Sequence, residues 1–173
     1  MVYDLPVGKG KAINLQSHLA NTLVGGWKLT SIYSYQLGAP INWTNGSSTS
    51  PGDYVYFGGP LALNNRQVNG TAFDKTVFDT NSADAFQYHI RTFSSTFGNL
   101  RADGINQLDS SILKTFQFGD SRRYLQLRGE MFNVPNHPVF AAPNTTATNS
   151  AFGTISATAN RFRTLQVSGR IVF

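Results

Sequence analysis

The stretch from Arg163 to Phe173 constrains the fold more than any other part of the chain. Leu165, Val167, Gly169, Ile171 and Phe173 alternate with Gln166, Ser168 and Arg170. Side chains on a strand point to opposite faces in turn, so this spacing predicts a strand with one apolar and one mostly polar face. At about 11 residues, it has the length of a tilted strand that crosses a bilayer. Arg123 to Val134 repeats the pattern, with Leu125, Leu127, Gly129 and Met131 against Gln126, Arg128 and Glu130. Leu108 to Phe118 sets Leu108, Ser110, Ile112, Phe116 and Phe118 opposite Asp109, Ser111, Thr115 and Gln117, with Leu113 as an exception. Trp27 to Leu37 places Trp27, Leu29, Tyr33 and Tyr35 against Lys28, Thr30, Ser34 and Gln36, and Ile32 interrupts the polar side.

The connections between these strands are unequal. Gly119-Asp120-Ser121 is short enough to make a hairpin of its two flanking strands. Residues 38–104 and 135–162 are long and rich in Asn, Ser, Thr, Gly and Pro, with turn signals at Asn45-Gly46, Asn69-Gly70 and Asp103-Gly104. Such lengths are unusual in compact soluble domains, whereas outer-membrane barrels join strands by short periplasmic turns and long outer loops. If Phe173 ends its strand on the periplasmic side, Trp27, Phe116, Phe118, Tyr124 and Phe173 fall at one membrane interface, as an aromatic girdle does. In a soluble protein the same rings would be core or edge aromatics. Residues 12–26 read as a short helix or an irregular turn.

Composition removes several classes. Charged residues are only 13% of the chain, against 40% hydrophobic, which suits strands with one face in lipid and one in water. With no cysteine, disulfide frameworks and thiolate metal sites are excluded. The net charge of +5 is dispersed without a basic run, so no nucleic-acid partner is expected. No segment approaches the roughly 20 apolar residues of a spanning helix. Met1-Val2-Tyr3-Asp4-Leu5-Pro6 lacks the pattern of a signal peptide, so an export signal is expected outside this stretch of sequence.

The search for chemistry returns little. His18, His89 and His137 lack metal-ligand spacing, and no nucleophile motif or phosphate-cradling glycine loop is evident, so neither enzyme, metal nor cofactor is expected. Asp109 and Glu130 share a polar strand face with Arg128 and Arg170. Ion pairing along a barrel lumen is a simpler reading of these four than acid–base catalysis. For ligand contact the best cluster is Trp43, Tyr54, Tyr56 and Phe57 in the first long connection, where rings stack on sugars or peptides; packing of loop on loop is the alternative.

Several fragments also carry a family resemblance. Tyr3-Asp4-Leu5-Pro6-Val7-Gly8-Lys9-Gly10-Lys11 resembles a tyrosine-x-leucine-proline-x-glycine-lysine-glycine signature. Gly25-Gly26-Trp27-Lys28-Leu29, Tyr35-Gln36-Leu37-Gly38-Ala39-Pro40, Thr96-Phe97-Gly98-Asn99-Leu100-Arg101 and Leu108 to Phe116 continue the series in order. Leu125 to Asn133, Asn136-His137-Pro138-Val139-Phe140 and the terminal Phe173 complete it. The set resembles the C-terminal barrel segment of the Oar-like branch of TonB-dependent receptors, whose N-terminal portion often carries a carboxypeptidase-regulatory-like domain. That resemblance implies an assembly signal at Phe173 and a location in the bacterial outer membrane. The implied partners are outer-membrane lipid, the assembly machinery, and the remaining barrel and plug. Such receptors close a barrel of about 22 strands around their plug, and neither plug nor TonB box is in this sequence. The expectation is therefore all-β: an antiparallel meander of about four to five long strands over residues 1–173, a partial transmembrane barrel with long outer loops. Its full-length parent would import a nutrient with TonB-supplied energy. The alternative is a secreted or cell-surface β-sandwich that binds carbohydrate or self-assembles.

Overall fold

Each alternating segment forms a strand. The structure is a computed structural model describing residues 1–43, 53–84, 91–119 and 122–173. The Asn45-Gly46 turn, His89 and the Asp120-Ser121 part of the short connection lie outside the described residues. Strand β1 spans Val2–Asp4, and helix α1 spans His18–Val24. Strand β2 runs Trp27–Gln36, β3 Pro40–Asn42 and β4 Thr96–Arg101. Strands β5, β6 and β7 are Ile105–Gln117, Tyr124–Phe132 and Thr164–Val172. Two compact units result: residues Met1–Ser34, Asn106–His137 and Arg161–Phe173 form the first, and Tyr35–Ile105 with Pro138–Asn160 the second.

The first unit is built on a five-stranded sheet in the order β1-β2-β5-β6-β7. Strands β1 and β2, β5 and β6, and β6 and β7 pair antiparallel. Across β2 and β5, Ser31 Oγ meets Ser110 Oγ at 3.0 Å and Tyr33 donates to Asn106 at 3.0 Å, so numbering rises on one strand as it falls on the other. Because direction alternates, Ser34, Asn106, His137 and Arg161 all leave the sheet at one end. Connection 5–26, Phe118 and Arg123 lie at the other.

Register settles the faces. Met131 faces Leu165, Leu127 faces Gly169 and Leu125 faces Ile171, while Phe116 faces Leu125 and Tyr3 faces Leu29. These residues share one face, and Arg128, Glu130, Gln166 and Arg170 share the other. The apolar face has nothing packed over most of it: Leu165 is 66% exposed, Val167 75% and Ile171 66%. Of the five aromatics expected as a girdle, all lie at the same sheet end. Tyr124, paired with Gln117, falls on the polar face rather than with Phe116.

Helix α1 is short and locally fixed. Ser17 Oγ accepts from Ala20 N–H at 3.4 Å, and Gly25 closes the far end by donating to the Asn21 carbonyl at 2.9 Å. Gly25 is required there, since an added Cβ would stand 2.7 Å from the Asn21 carbonyl oxygen.

The second unit is assembled from the two long connections. It has little regular structure beyond the antiparallel pair β3 and β4, yet it holds a core of its own. Among the described residues every buried hydrophobic side chain belongs to this unit, with Trp43, Phe152, Ile41 and Ile155 the largest of those fully enclosed. Trp43 stacks on Phe78 at 5.5 Å and meets Tyr54 and Phe93 edge-on at 5.8 and 5.6 Å. Each such aromatic pair contributes about 0.5–1.5 kcal/mol beyond the area it buries. Loops otherwise rich in Asn and Gly thus condense around rings.

Candidate functional site

The four aromatics of the candidate ligand cluster divide between core and surface. Trp43 is 1% exposed and Tyr54 4%, so both rings are core in this conformation. Tyr56 packs against that core and donates its hydroxyl to the Gly59 carbonyl, and Phe57 stands 67% exposed. Of the four, Phe57 alone offers an open ring face, while the others shape the ground beneath it.

That ground is held by Asp53, a buried carboxylate. It accepts from Tyr54 N–H at 2.9 Å, from Phe93 N–H at 3.1 Å, and from both the backbone N–H and the hydroxyl of Thr92. Burial pushes the Asp53 carboxyl up, but these hydrogen bonds outweigh it and hold it below the ordinary carboxylate range. Tyr54 shows the opposite balance. Desolvation raises its phenol to about 12, and its hydroxyl donates to the Thr145 carbonyl. Close by in space, Arg91 lays its guanidinium 5.8 Å from the Tyr54 ring centroid and donates to the Trp43 carbonyl.

On the polar face of the sheet, Arg128 Nη1 lies 3.5 Å from Glu130 Oε1, and Arg170 is paired in register with Gln126 on the strand beside them. Asp109 is engaged elsewhere. It accepts from Gln107 Nε2 at 2.9 Å and from Asn133 N–H at 2.8 Å. Asn133 has a positive φ of 53° and is buried. Its amide donates to the His137 and Arg161 carbonyls at 3.1 and 3.0 Å. Asn136, also at positive φ, accepts from Arg163 N–H at 2.9 Å. Asn tolerates this backbone region better than most residues, so the two asparagines tie the exit of β6 to the entry of β7. Asp109 is thus an anchor for a turn, which its place on an alternating strand did not indicate.

At the opposite end of the sheet a cavity of about 560 Å³ has Lys9, Lys11, His18 and Lys114 in its lining. Lys114 falls on the apolar face of β5, where its register partner is Leu127. A lysine breaking an apolar alternation was the one sequence signal for this cavity. Phe173 is 99% exposed, so no contact within the first unit engages its ring. Among the described residues no three His, Cys, Asp or Glu side chains gather as a metal site, and no helix is long and apolar enough to span a membrane, which says nothing of strands.

A family model described as an outer membrane beta barrel domain matches residues 1–166. No curated protein and no solved structure matches the chain.

Proposed function

This chain belongs to the outer membrane beta barrel domain family, and from that premise we propose that its sheet is part of the wall of a TonB-dependent receptor that imports a nutrient. The observation that carries this reading is the uncovered apolar face of β5, β6 and β7, together with free edges on β1 and β7. In lipid an apolar face is at home, but backbone groups on an open edge are not, so the edges call for the neighbouring strands of a closed barrel. Exit of the two longest connections from one sheet end fits the long outer loops of a barrel. The β-sandwich alternative needs a second sheet of comparable size. The only other sheet among the described residues has two strands, β3 and β4.

On this reading the polar face carrying Asp109, Arg128, Glu130 and Arg170 lines the lumen, and the second unit presents the exposed ring of Phe57 to ligand. Phe173 serves assembly of the barrel, and the chain performs no covalent chemistry. The test combines cell fractionation with uptake in the native host. The protein is expected to fractionate with the outer membrane. Deleting its gene should abolish accumulation of one class of labelled nutrient, and loss of TonB should have the same effect. A monodisperse, detergent-free monomer, or accumulation unaltered by loss of TonB, would overturn the proposal.

A further inference from the structure

We propose that the basic cavity beneath α1 binds an anionic phosphate group, free or as a lipid headgroup. Its lining contains Lys9, Lys11, Lys114 and His18, and no Asp or Glu. Three formal positive charges therefore converge with no negative charge among the lining residues. Among the described residues no carboxylate forms an ion pair with any of the three lysines. Clustered like charges repel one another unless an anion joins them, and an enclosing wall concentrates their field on the space between.

The cavity is organised rather than incidental. Lys114 is 3% exposed; its ammonium donates to the Gly25 carbonyl and lies 5.9 and 5.2 Å from the Trp27 and Phe116 ring centroids. A lysine ammonium has three donors, so this carbonyl leaves it further capacity. Lys9 and Lys11 are exposed and are carried by a turn pinned on both sides. Lys9 N–H donates to Asn21 Oδ1 at 2.7 Å, Gly8 N–H to Ile13 O at 3.0 Å, and Lys11 N–H to Gly8 O at 3.1 Å. Gly8, at φ 133°, lets this turn close on Gly25, where an added Cβ would stand 3.1 Å from the Gly8 Cα. One buried ammonium, with two exposed ones held by fixed backbone, suits a compact anionic oxygen cluster such as a phosphate monoester, a phosphodiester or free phosphate, which lysines bind as point charges. The place suits a lipid as well, because Trp27, Phe116 and Phe118 lie at this end of the sheet, and such rings favour the headgroup level. The inference goes beyond nutrient import and holds whether or not the barrel transports.

The experiment is a titration of the full chain, in octyl glucoside, against inorganic phosphate in one arm and dioctanoylphosphatidylglycerol in the other, read by the ³¹P line. Wild type is compared with the double variant Lys9→Gln/Lys11→Gln and with Lys28→Gln, whose side chain is outside the cavity lining. Saturable binding is expected in wild type and in Lys28→Gln. In the double variant it should weaken about ten-fold, a factor of roughly three for each exposed cation. Saturation by both probes or by phosphate alone assigns the site to free phosphate chemistry; saturation by the lipid alone assigns it to a headgroup. No saturation with either probe, or equal affinity in the double variant, overturns the proposal. Both lysines of that variant engage the fold through backbone alone, so its strand content by circular dichroism should match wild type.

Discussion

Replacing Asp53 by Ala removes the clasp on which the second unit closes. The carboxylate receives N–H groups from Tyr54 and Phe93 and two donors from Thr92, joining residues 53–54 to 92–93. Hydrogen bonds to a charged acceptor contribute about 1.5–3 kcal/mol each, and a buried donor left unpaired costs about 1–3 kcal/mol. The Tyr54 and Phe93 amides are buried, whereas the Thr92 donors are only partly so and recover some water. Counting chiefly the two buried amides, the loss is about 3–5 kcal/mol. For a unit of this size that lowers the melting midpoint by at least about 12 °C. Trp43 reports the event directly, because the chain has two tryptophans and Trp27→Phe leaves only the one in the core. The assay is a thermal melt followed by Trp43 fluorescence in that background. Asp53→Asn keeps a side-chain oxygen and should lose about 1–2 kcal/mol. Acid adds a second reading. Because the folded carboxyl sits below its ordinary range, its contribution is full above that range and disappears as pH falls through the folded value. Asp53→Asn should remove this share of the acid sensitivity. A midpoint for Asp53→Ala within about 2 °C of its parent would refute the clasp, since even one unpaired amide predicts more.

Val167→Lys and Ser168→Lys, neighbours on opposite faces of β7, should differ sharply when the protein folds into lipid vesicles. The first is expected to cost about 2–4 kcal/mol in a urea titration and the second to be nearly neutral; equal costs would argue that the Val167 face meets water. Tyr54 predicts alkaline weakening of the second unit. With its phenol raised from 10.0 to about 12, its contribution is full below pH 10 and lost as pH rises towards 12, visible as a falling Trp43 melting midpoint that Tyr54→Phe removes. Gly38→Ala should destabilise the entry to β3 by about 1–3 kcal/mol, because a Cβ there would run into the Ala102 carbonyl, whose own amide donates to Ala39 O at 3.0 Å. Hydrogen exchange at Ala102 measures that loss.

The strands were legible because a period of two survives single departures. Ile32 and Leu113 sit on the polar face, yet β2 forms over the expected residues, and β5 does so too except that it starts earlier, at Ile105 rather than Leu108. Asp109, Arg128, Glu130 and Arg170 could be put on one face for the same reason, although the turn that Asp109 anchors depends on Asn133, which contacts it only once β6 folds back beside β5. The second unit left no periodic trace. Trp43, Phe73, Phe78, Phe93 and Phe152 are irregularly spaced among Asn, Thr and Gly, and only their convergence in space makes them a core. That is why the sequence left Trp43 and Tyr54 open between ligand contact and packing of loop on loop. The basic cavity was hidden similarly, since Lys9 and Lys11 meet Lys114 only through sheet pairing of distant segments.

The hydrophobic residues of this chain answer to two different solvents. Rings such as Phe73 and Phe152 leave water by packing on one another. Leu165 and Ile171 touch neighbours on the sheet yet stay two-thirds exposed, and gain most when hydrocarbon arrives. On the outer-membrane reading, the chain therefore matures on two clocks. Defects in Phe73 or Phe152 strike in the aqueous compartment, where chaperones and proteases act. Defects in Leu165 or Ile171 stay silent until the bilayer is reached.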